Sequence, residues 1–418
     1  MNLLVVTPYY LPDLGPSAPM FALLCEELVR RGHTVTVLCA VPHLPSGRVS
    51  AEYRKGIWLW SKENGVRICR VHVPSGDRKS LFHRLWVFGV YQILVAAAGF
   101  KVRYDAALMT NPALETFLPF VFFCWWKRKP CLYAVWDVYP EVGVRMGQWK
   151  NPMVIRLVGR LEDLCLRRAT RVHVLSDGFR TDLAAHQVAP DRIAVIPPWL
   201  DITHIRPLPR RNEFSSKHDL NDRFVVLYAG NIGLSQGLET VLQTAGILRE
   251  HKDILFLFVG EGAGRAALEE QARGMANVRF LPYQLRESLP ELLASADVSL
   301  VMLKQGIGSA SLPSKLFSIL AAGRPVLASV DENGDAWKLV CRSRTGLCVP
   351  PESPMRLAEA ILSLQNDPLS CTQMGANGRA WVEQYHSPQS AAEQFERLFL
   401  DMLAHRGILN DDRNKLNC

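Results

Sequence analysis

Leu3-Leu-Val-Val-Thr-Pro-Tyr-Tyr-Leu-Pro-Asp-Leu-Gly15 opens as an unbroken apolar run and turns at once into a loop bearing proline and glycine. A strand buried on both faces needs such a run, whereas a strand with one wet face alternates. From about Ser17 the pattern becomes helical. Met20, Phe21, Leu24 and Leu28 recur at three- and four-residue spacing, Arg30 and Arg31 suit the negative end of a helix dipole, and Gly32 stands where a chain leaves a helix. Thr34 to Leu38 reads as the next strand. Strand, loop, helix, strand is the parallel-sheet unit, and the loop after its first strand is where such sheets bind ligands.

The same order returns at Phe224–Tyr228, with the loop Ala229-Gly-Asn-Ile-Gly-Leu-Ser-Gln-Gly237, a helix to about Arg249 and a strand over Ile254–Val259. Strands at Val278–Leu281, Val298–Met302 and Val326–Ser329, and a helix at Leu289–Ala296, continue the alternation. A length of 418 residues, 48% of them hydrophobic, suits two large domains at about 150 residues or more each. The fold class expected is therefore α/β, with two doubly wound, Rossmann-like domains spanning residues 1–198 and 199–387. The linker runs from Ile196-Pro-Pro-Trp-Leu-Asp201 into a Pro-, Arg- and Ser-rich stretch ending near Asp222. After Pro388, Phe395, Leu398, Phe399 and Met402 mark a helix over Ala391–Leu403 that packs back on the first domain as part of residues 388–404. Residues 405–418 read as a frayed polar tail.

A surplus of 48 basic over 40 acidic side chains, +8, suits an anionic partner. The ten cysteines are scattered without a C-x-x-C pair, which argues against a zinc ribbon or a thioredoxin-type motif. They are expected to be buried apolar residues in the reducing cytoplasm, since the opening residues lack the features of a secretory signal. Leu85–Phe100, interrupted by Gln92, falls short of the ~20 residues of a spanning helix, so no transmembrane segment is predicted. Val259-Gly-Glu-Gly262 is not a dinucleotide fingerprint. The third glycine would fall at Arg265, and Glu261 would put a carboxylate against the pyrophosphate.

The segment richest in chemistry is Gly306-Ile-Gly-Ser-Ala-Ser-Leu-Pro-Ser-Lys-Leu-Phe-Ser-Ile-Leu-Ala-Ala-Gly-Arg-Pro325. Its small residues, among them Ser311, let backbone N–H groups approach phosphate oxygens. Pro313 or Ser314 begins a helix whose N-terminus attracts anions, and Lys315, read as an exposed loop lysine, adds a full charge. The competing reading is an ordinary loop into a short core helix, Leu316–Ala322. Asn231, Gly233 and Gln236 form a second candidate phosphate loop, and Gly262 and Tyr283 follow the next two strands. In the first half, Trp136-Asp-Val-Tyr-Pro-Glu141 follows a strand that starts near Cys131. Asp137 either accepts or orients a hydroxyl proton, or caps the next helix or pairs with Arg145; Glu141 is the second carboxylate there. His173 reads as a satisfied sheet histidine, while His43 and His72 show no partner in sequence. Leu81–Phe100, with Trp86, and Thr116–Trp126, with Phe122, Phe123, Trp125 and Trp126 running into Lys127-Arg128-Lys129, read either as in-plane helices on an anionic membrane or as core helices with solvated ends.

Four segments together resemble the GT-B glycosyltransferases of glycosyltransferase family 4 over nearly the whole chain. They are Tyr9–Gly15 with Arg31-Gly-His-Thr-Val-Thr-Val37, Trp136–Glu141, Tyr228-Ala-Gly-Asn-Ile-Gly233, and Pro313-Ser-Lys through Ala321-Ala-Gly-Arg-Pro325. The forms Pro-Ser-Lys and Asp-x-x-Pro-Glu are similar to the branch that builds bacterial O-antigen and colanic acid repeat units. The resemblance implies two domains facing a cleft, with a UDP-sugar on the C-terminal domain and an acceptor on the N-terminal one. The donor sugar implied is an amino or deoxy sugar such as L-FucNAc, and the acceptor a polyprenyl-diphosphate-linked saccharide. It also implies retention of anomeric configuration, a peripheral place on the inner face of the bacterial inner membrane, and no metal, cofactor or nucleic acid. It places Gly15, Asn231, Gly233, Gln236, Gly262, Tyr283, Ser311, Pro313, Ser314 and Lys315 around the donor and gives Asp137, Glu141 and Lys315 catalytic roles. The family's Arg and Lys on the diphosphate are here Asn231 and Gln236, and its pair of glutamates is Ala310 and Ser318. These replacements imply that Lys315, Ser314 and helix-end N–H groups carry more of the diphosphate charge. Alternatives are a sugar-nucleotide epimerase of the same architecture or an inactive scaffold subunit of a polysaccharide assembly complex.

Overall fold

The computed structural model describes residues 1–13, 15, 17–44, 47–76, 80–145, 151–306 and 313–416. The chain divides into two compact units, Met1–Trp199 with Pro388–Cys418, and Leu200–Ser387.

The first unit runs β1 (Asn2–Val6), α1 (Ala18–Arg30), β2 (Thr34–Ala40), β3 (Trp58–Glu63), β4 (Val66–Val71), α2 (Leu81–Ala98), β5 (Ala106–Thr110), α3 (Ala113–Phe120), β6 (Cys131–Val135), α4 (Glu141–Arg145), α5 (Pro152–Arg168), β7 (Arg171–Val174), α6 (Gly178–Ala184) and β8 (Ile193–Val195). Its sheet has the order β3-β4-β2-β1-β5-β6-β7-β8. Leu4, Val6, Leu38 and Met109 pack on one face and Leu3, Val5, Val37 and Leu108 on the other, which is why these strands are apolar without alternation. The pair β3–β4 is antiparallel. Its turn, Asn64-Gly65, has both residues at positive φ, the geometry that makes Asn-Gly a hairpin signal. A reading based on apolar runs passes over this hairpin because β3 is an edge strand with little buried side chain.

In the second unit the order is α7 (Glu213–Lys217), β9 (Phe224–Ala229), α8 (Glu239–Ile247), β10 (Ile254–Val259), α9 (Arg265–Gln271), β11 (Val278–Leu281), α10 (Leu289–Ala294), β12 (Val298–Met302), α11 (Ser314–Ala321), β13 (Val326–Ser329), α12 (Asp335–Ser343), β14 (Gly346–Val349), α13 (Pro354–Asn366) and α14 (Pro368–Tyr385). The sheet order is β11-β10-β9-β12-β13-β14, and every pair is parallel. Successive crossovers leave in opposite directions from β9 and β12. The loops beyond their carboxyl ends therefore border the crevice where open α/β sheets bind ligands. In the first unit β1 and β5 stand in the same relation.

A last helix, α15 (Pro388–Leu416), returns to the first unit. Ala391, Ala392, Phe395, Phe399 and Met402 join Phe21, Leu24 and Leu28 of α1 in one buried cluster, and Glu396 accepts from Arg31 Nε at 2.8 Å. The frayed tail expected from His405 is instead a continuation of this helix to Leu416, because no proline follows Pro388 to stop it. Among the described residues six cysteines are buried and Cys348 and Cys371 half-buried, but Cys341 is exposed. It follows Val340 on amphipathic α12, and a step of about 100° turns it from the core face to the outer one. Among the described residues no helix is long and apolar enough to cross a membrane.

Candidate active site

At the end of β9 the chain turns through Gly230, whose φ of +134° favours glycine. The loops after β9 and β10 lie backbone against backbone. Gly230 N–H donates to Val259 O at 2.9 Å, Ile232 N–H to Glu261 O at 2.8 Å, and Gly264 N–H to Ile232 O at 2.9 Å. A Cβ on Gly262 would sit 2.3 Å from Ile232 O, so Gly262 serves this contact between loops. Glu261 is held by Arg265 at 2.6 Å. Asn231 is exposed at the loop's tip, and Gln236 Oε1 accepts from Gly233 N–H at 3.1 Å, which braces the turn from inside.

Lys315 is not the exposed loop lysine that the sequence suggests. It is the second residue of α11, whose N-cap, Pro313, supplies no side-chain hydrogen bond; Ser314 precedes it and is exposed. The helix directs Lys315 back over β9. Its Nζ lies 3.8 Å from the ring centroid of Tyr228, and a Cβ on Gly230 would be 3.3 Å from it. Nζ is buried and has no hydrogen-bond partner among the described residues. Burial pulls its pKa down to about 7. Burying an ammonium without a counter-charge is costly, and a helix N-terminus beside it adds positive potential. The arrangement is suited to receive an anion. Ser311 lies outside the described residues. Tyr283 is 70% exposed beyond β11, and Gly15 belongs to the first unit, where its N–H donates to Asp13 Oδ1 at 2.9 Å.

In the first unit, Asp137 lies two residues past β6 and is exposed, yet enough protein crowds its carboxyl to raise its pKa above the usual aspartate value. The carboxylate makes no hydrogen bond or ion pair among the described residues, so the cap reading gains no support, and the Arg145 side chain lies outside the described set. The sequence reading missed Asn111, which fixes this turn: its Oδ1 accepts from Trp136 N–H at 3.1 Å and its amide donates to the Asp137 carbonyl. Beneath it, Glu162 accepts from Ala113 N–H at 2.7 Å and Tyr133 OH at 3.0 Å, and burial still pushes its pKa up to about 7. Glu141 begins α4 and faces His186 at 3.6 Å; His186 in turn meets Asp163 at 2.7 Å. His173 is a fully buried sheet histidine. It meets Ile196 O at 2.9 Å and accepts from Trp136 Nε1 at 3.3 Å, and burial lowers its pKa to about 4. A pocket partly open to solvent is lined by Tyr9, His43, His83, Arg84 and Glu115. The topology brings these residues together from four loops and helices, which no spacing in the sequence reveals.

The two aromatic-basic stretches divide. On α2, Phe82 is 80% and Trp86 57% exposed. Trp125, Trp126 and Arg128 are also exposed, and Lys129 is half-buried. Phe123 is fully buried and Phe122 half-buried, so neither is a surface anchor. Lys127 is corrected too: its Nζ donates to Phe100 O at 2.8 Å and to Gly99 O at 3.4 Å, capping the carboxyl end of α2.

Residues 17–199 match the family described as Glycosyl transferase 4-like domain, and residues 210–381 match Glycosyl transferases group 1. With two doubly wound sheets, parallel except for the edge strand β3, the chain is a GT-B glycosyltransferase built from these two family domains. It is 28% identical over 418 residues to WcaI of Escherichia coli (strain K12), a glycosyl transferase named for colanic acid biosynthesis, with 94% of this chain and 98% of WcaI covered. Its fold is shared with sucrose-phosphate synthase from Thermosynechococcus elongatus (TM-score 0.70, 20% identity, 97% and 99% of the chains covered). It is also shared with Anabaena Alr3699/HepE in complex with UDP (TM-score 0.69, 15% identity, 96% and 100% covered).

Proposed function

We propose that this glycosyltransferase moves a sugar from a UDP-sugar to a polyprenyl-diphosphate-linked saccharide in bacterial O-antigen or exopolysaccharide assembly, without a metal and with retention of configuration. One observation carries the reading: the buried ammonium of Lys315, lacking a partner among the described residues, at the N-terminus of α11 and the switch point of its sheet. When the bond from anomeric carbon to β-phosphate oxygen breaks, negative charge gathers on the departing diphosphate. A fixed cation and aligned helix-end dipoles meet that charge without reorganisation. The acceptor oxygen forms the new bond on the same face, and its proton passes to the leaving phosphate or to Asp137. The pocket of Tyr9, His43, His83, Arg84 and Glu115 takes the polar part of the acceptor. The donor sugar is an amino or deoxy sugar such as L-FucNAc. Exposed Phe82, Leu85, Trp86 and Ile93 on α2 face an anionic bilayer, which accounts for apolar side chains left uncovered on a basic chain.

The test is acceptor-dependent chemistry. Membranes carrying lipid-linked GlcNAc are incubated with a panel of UDP- and GDP-sugars, and both sugar transfer and free nucleotide are followed. Transfer from a UDP-sugar with matching nucleotide release is expected. Nucleotide-sugar conversion without an acceptor, or no turnover with any donor, refutes the reading.

A further inference from the structure

The side chain that meets Lys315 is Tyr228, the penultimate residue of β9, which is 1% exposed. It does two things at once. Its ring face lies 3.8 Å from Nζ, close enough for a cation–π contact, and its hydroxyl donates to Asn231 O at 2.6 Å. The ring is itself fixed. Tyr228 sits beside Phe258 (centroids 6.2 Å apart), which stacks on Phe280 at 4.8 Å, so three neighbouring strands present one aromatic row. Gly230 adjoins the pair: a Cβ there would stand 3.3 Å from Nζ, and its φ of +134° favours glycine.

We propose that Tyr228 is a positioning residue for the leaving diphosphate. Its face holds the Lys315 ammonium in place and its hydroxyl holds the Gly230–Gly233 loop, so one rigid side chain sets the distance between the two parts of the anion cradle. The physical case is the cost of the alternative. A buried ammonium with no acceptor would swing toward solvent or lose its proton. The negative face of an aromatic ring offsets part of its desolvation without the full charge of a carboxylate, which would repel the incoming phosphate and compete for the cation. A tyrosine therefore offsets part of the cost of charging the lysine and leaves it available to a phosphate. Burial alone depresses the Lys315 pKa, and no charged neighbour on β9, β10 or α11 is among the causes.

This inference rests on the reading of Lys315 as the diphosphate-binding cation, and the experiment separates the two. Binding is measured by calorimetry on the full chain with whichever of UDP, GDP, ADP and dTDP binds the wild type most tightly, from pH 5.5 to 8.5. The variants are Lys315→Met, Tyr228→Leu, Tyr228→Phe, and a series with mono-, di- and trifluorinated phenylalanine at position 228. The fluorinated series keeps shape and packing while draining the ring face of negative potential. At pH 8 affinity is expected to fall stepwise along the series, reaching about tenfold for the most fluorinated ring and for Tyr228→Leu. The differences should narrow toward pH 5.5, where Lys315 is protonated in every variant. Tyr228→Phe keeps the face and should show the wild-type pH profile, with only a uniform loss from the freed loop. If fluorination leaves affinity and its pH dependence unchanged while Lys315→Met loses binding, Tyr228 is only a packing residue and the inference falls alone. If Lys315→Met binds as wild type, or no nucleotide binds the wild type, the reading of Lys315 falls and takes the inference with it.

Discussion

Replacing Lys315 by methionine should make the nucleotide-free protein more stable while removing its activity. Burial holds the Lys315 pKa at about 7 against an ordinary 10.5. At about 1.4 kcal/mol per unit, keeping the proton on in the folded state costs up to roughly 5 kcal/mol. The Tyr228 face returns about 2 kcal/mol of this, leaving a net cost near 3 kcal/mol. The sign follows from linkage. Between pH 7 and 10.5 the unfolded chain binds the proton that the folded chain has released, so this contribution to stability rises with pH across that window. Below pH 7 both states are protonated and the full cost applies. Methionine fills a similar volume without charge. At pH 6, thermal unfolding of Lys315→Met should occur on the order of 5–10 °C above wild type for a unit of this size, and the gap should narrow as the pH is raised to 9. Saturating UDP should raise the wild-type midpoint and leave the variant's unchanged. A variant less stable than wild type at pH 6, still shifted by UDP, would show that the ammonium is a structural group and refute this reasoning.

Asp137→Asn should lower transfer by about 10²–10⁴-fold with nucleotide affinity unchanged, as loss of a general base does; normal transfer would return Asp137 to the scaffold. Phe82→Asp combined with Trp86→Asp should abolish co-sedimentation with vesicles containing phosphatidylglycerol. Lys127→Ala should leave it intact and instead cost about 1 kcal/mol of stability, because that ammonium caps α2. His173 has its pKa lowered from 6.5 to about 4, so the stability it supports is complete above pH 6.5 and is lost as pH falls toward 4. In His173→Gln the slope of unfolding midpoint against pH over that window should be shallower, as read by thermal melts.

Much of the architecture was legible in the chain itself. A strand buried on both faces is apolar along its length, and β10 coincides with such a run at Ile254–Val259; β12 and β13 coincide with nearly apolar runs at Val298–Met302 and Val326–Ser329, and the edge strand β11 with the mixed stretch Val278–Leu281. The period of an amphipathic helix likewise exposed α1 and α15, because a helix covering a sheet has to repeat its apolar residues every three or four positions. Lys315 could be placed by its neighbours, since a glycine- and serine-rich loop ending in Pro-Ser-Lys reads as a helix start. Its environment could not. Whether that lysine is solvated or buried depends on Tyr228, 87 positions earlier in the chain, and only the parallel pairing of β9 with β12 brings the two together. The same holds for Asn111 beneath Asp137, for the pocket of Tyr9, His43, His83, Arg84 and Glu115, and for the separation of surface Trp86 from buried Phe123. Local periodicity is a property of consecutive residues and survives in the sequence. Burial, pKa and partnership are sums over neighbours in space, and those neighbours exist only once the sheets have closed.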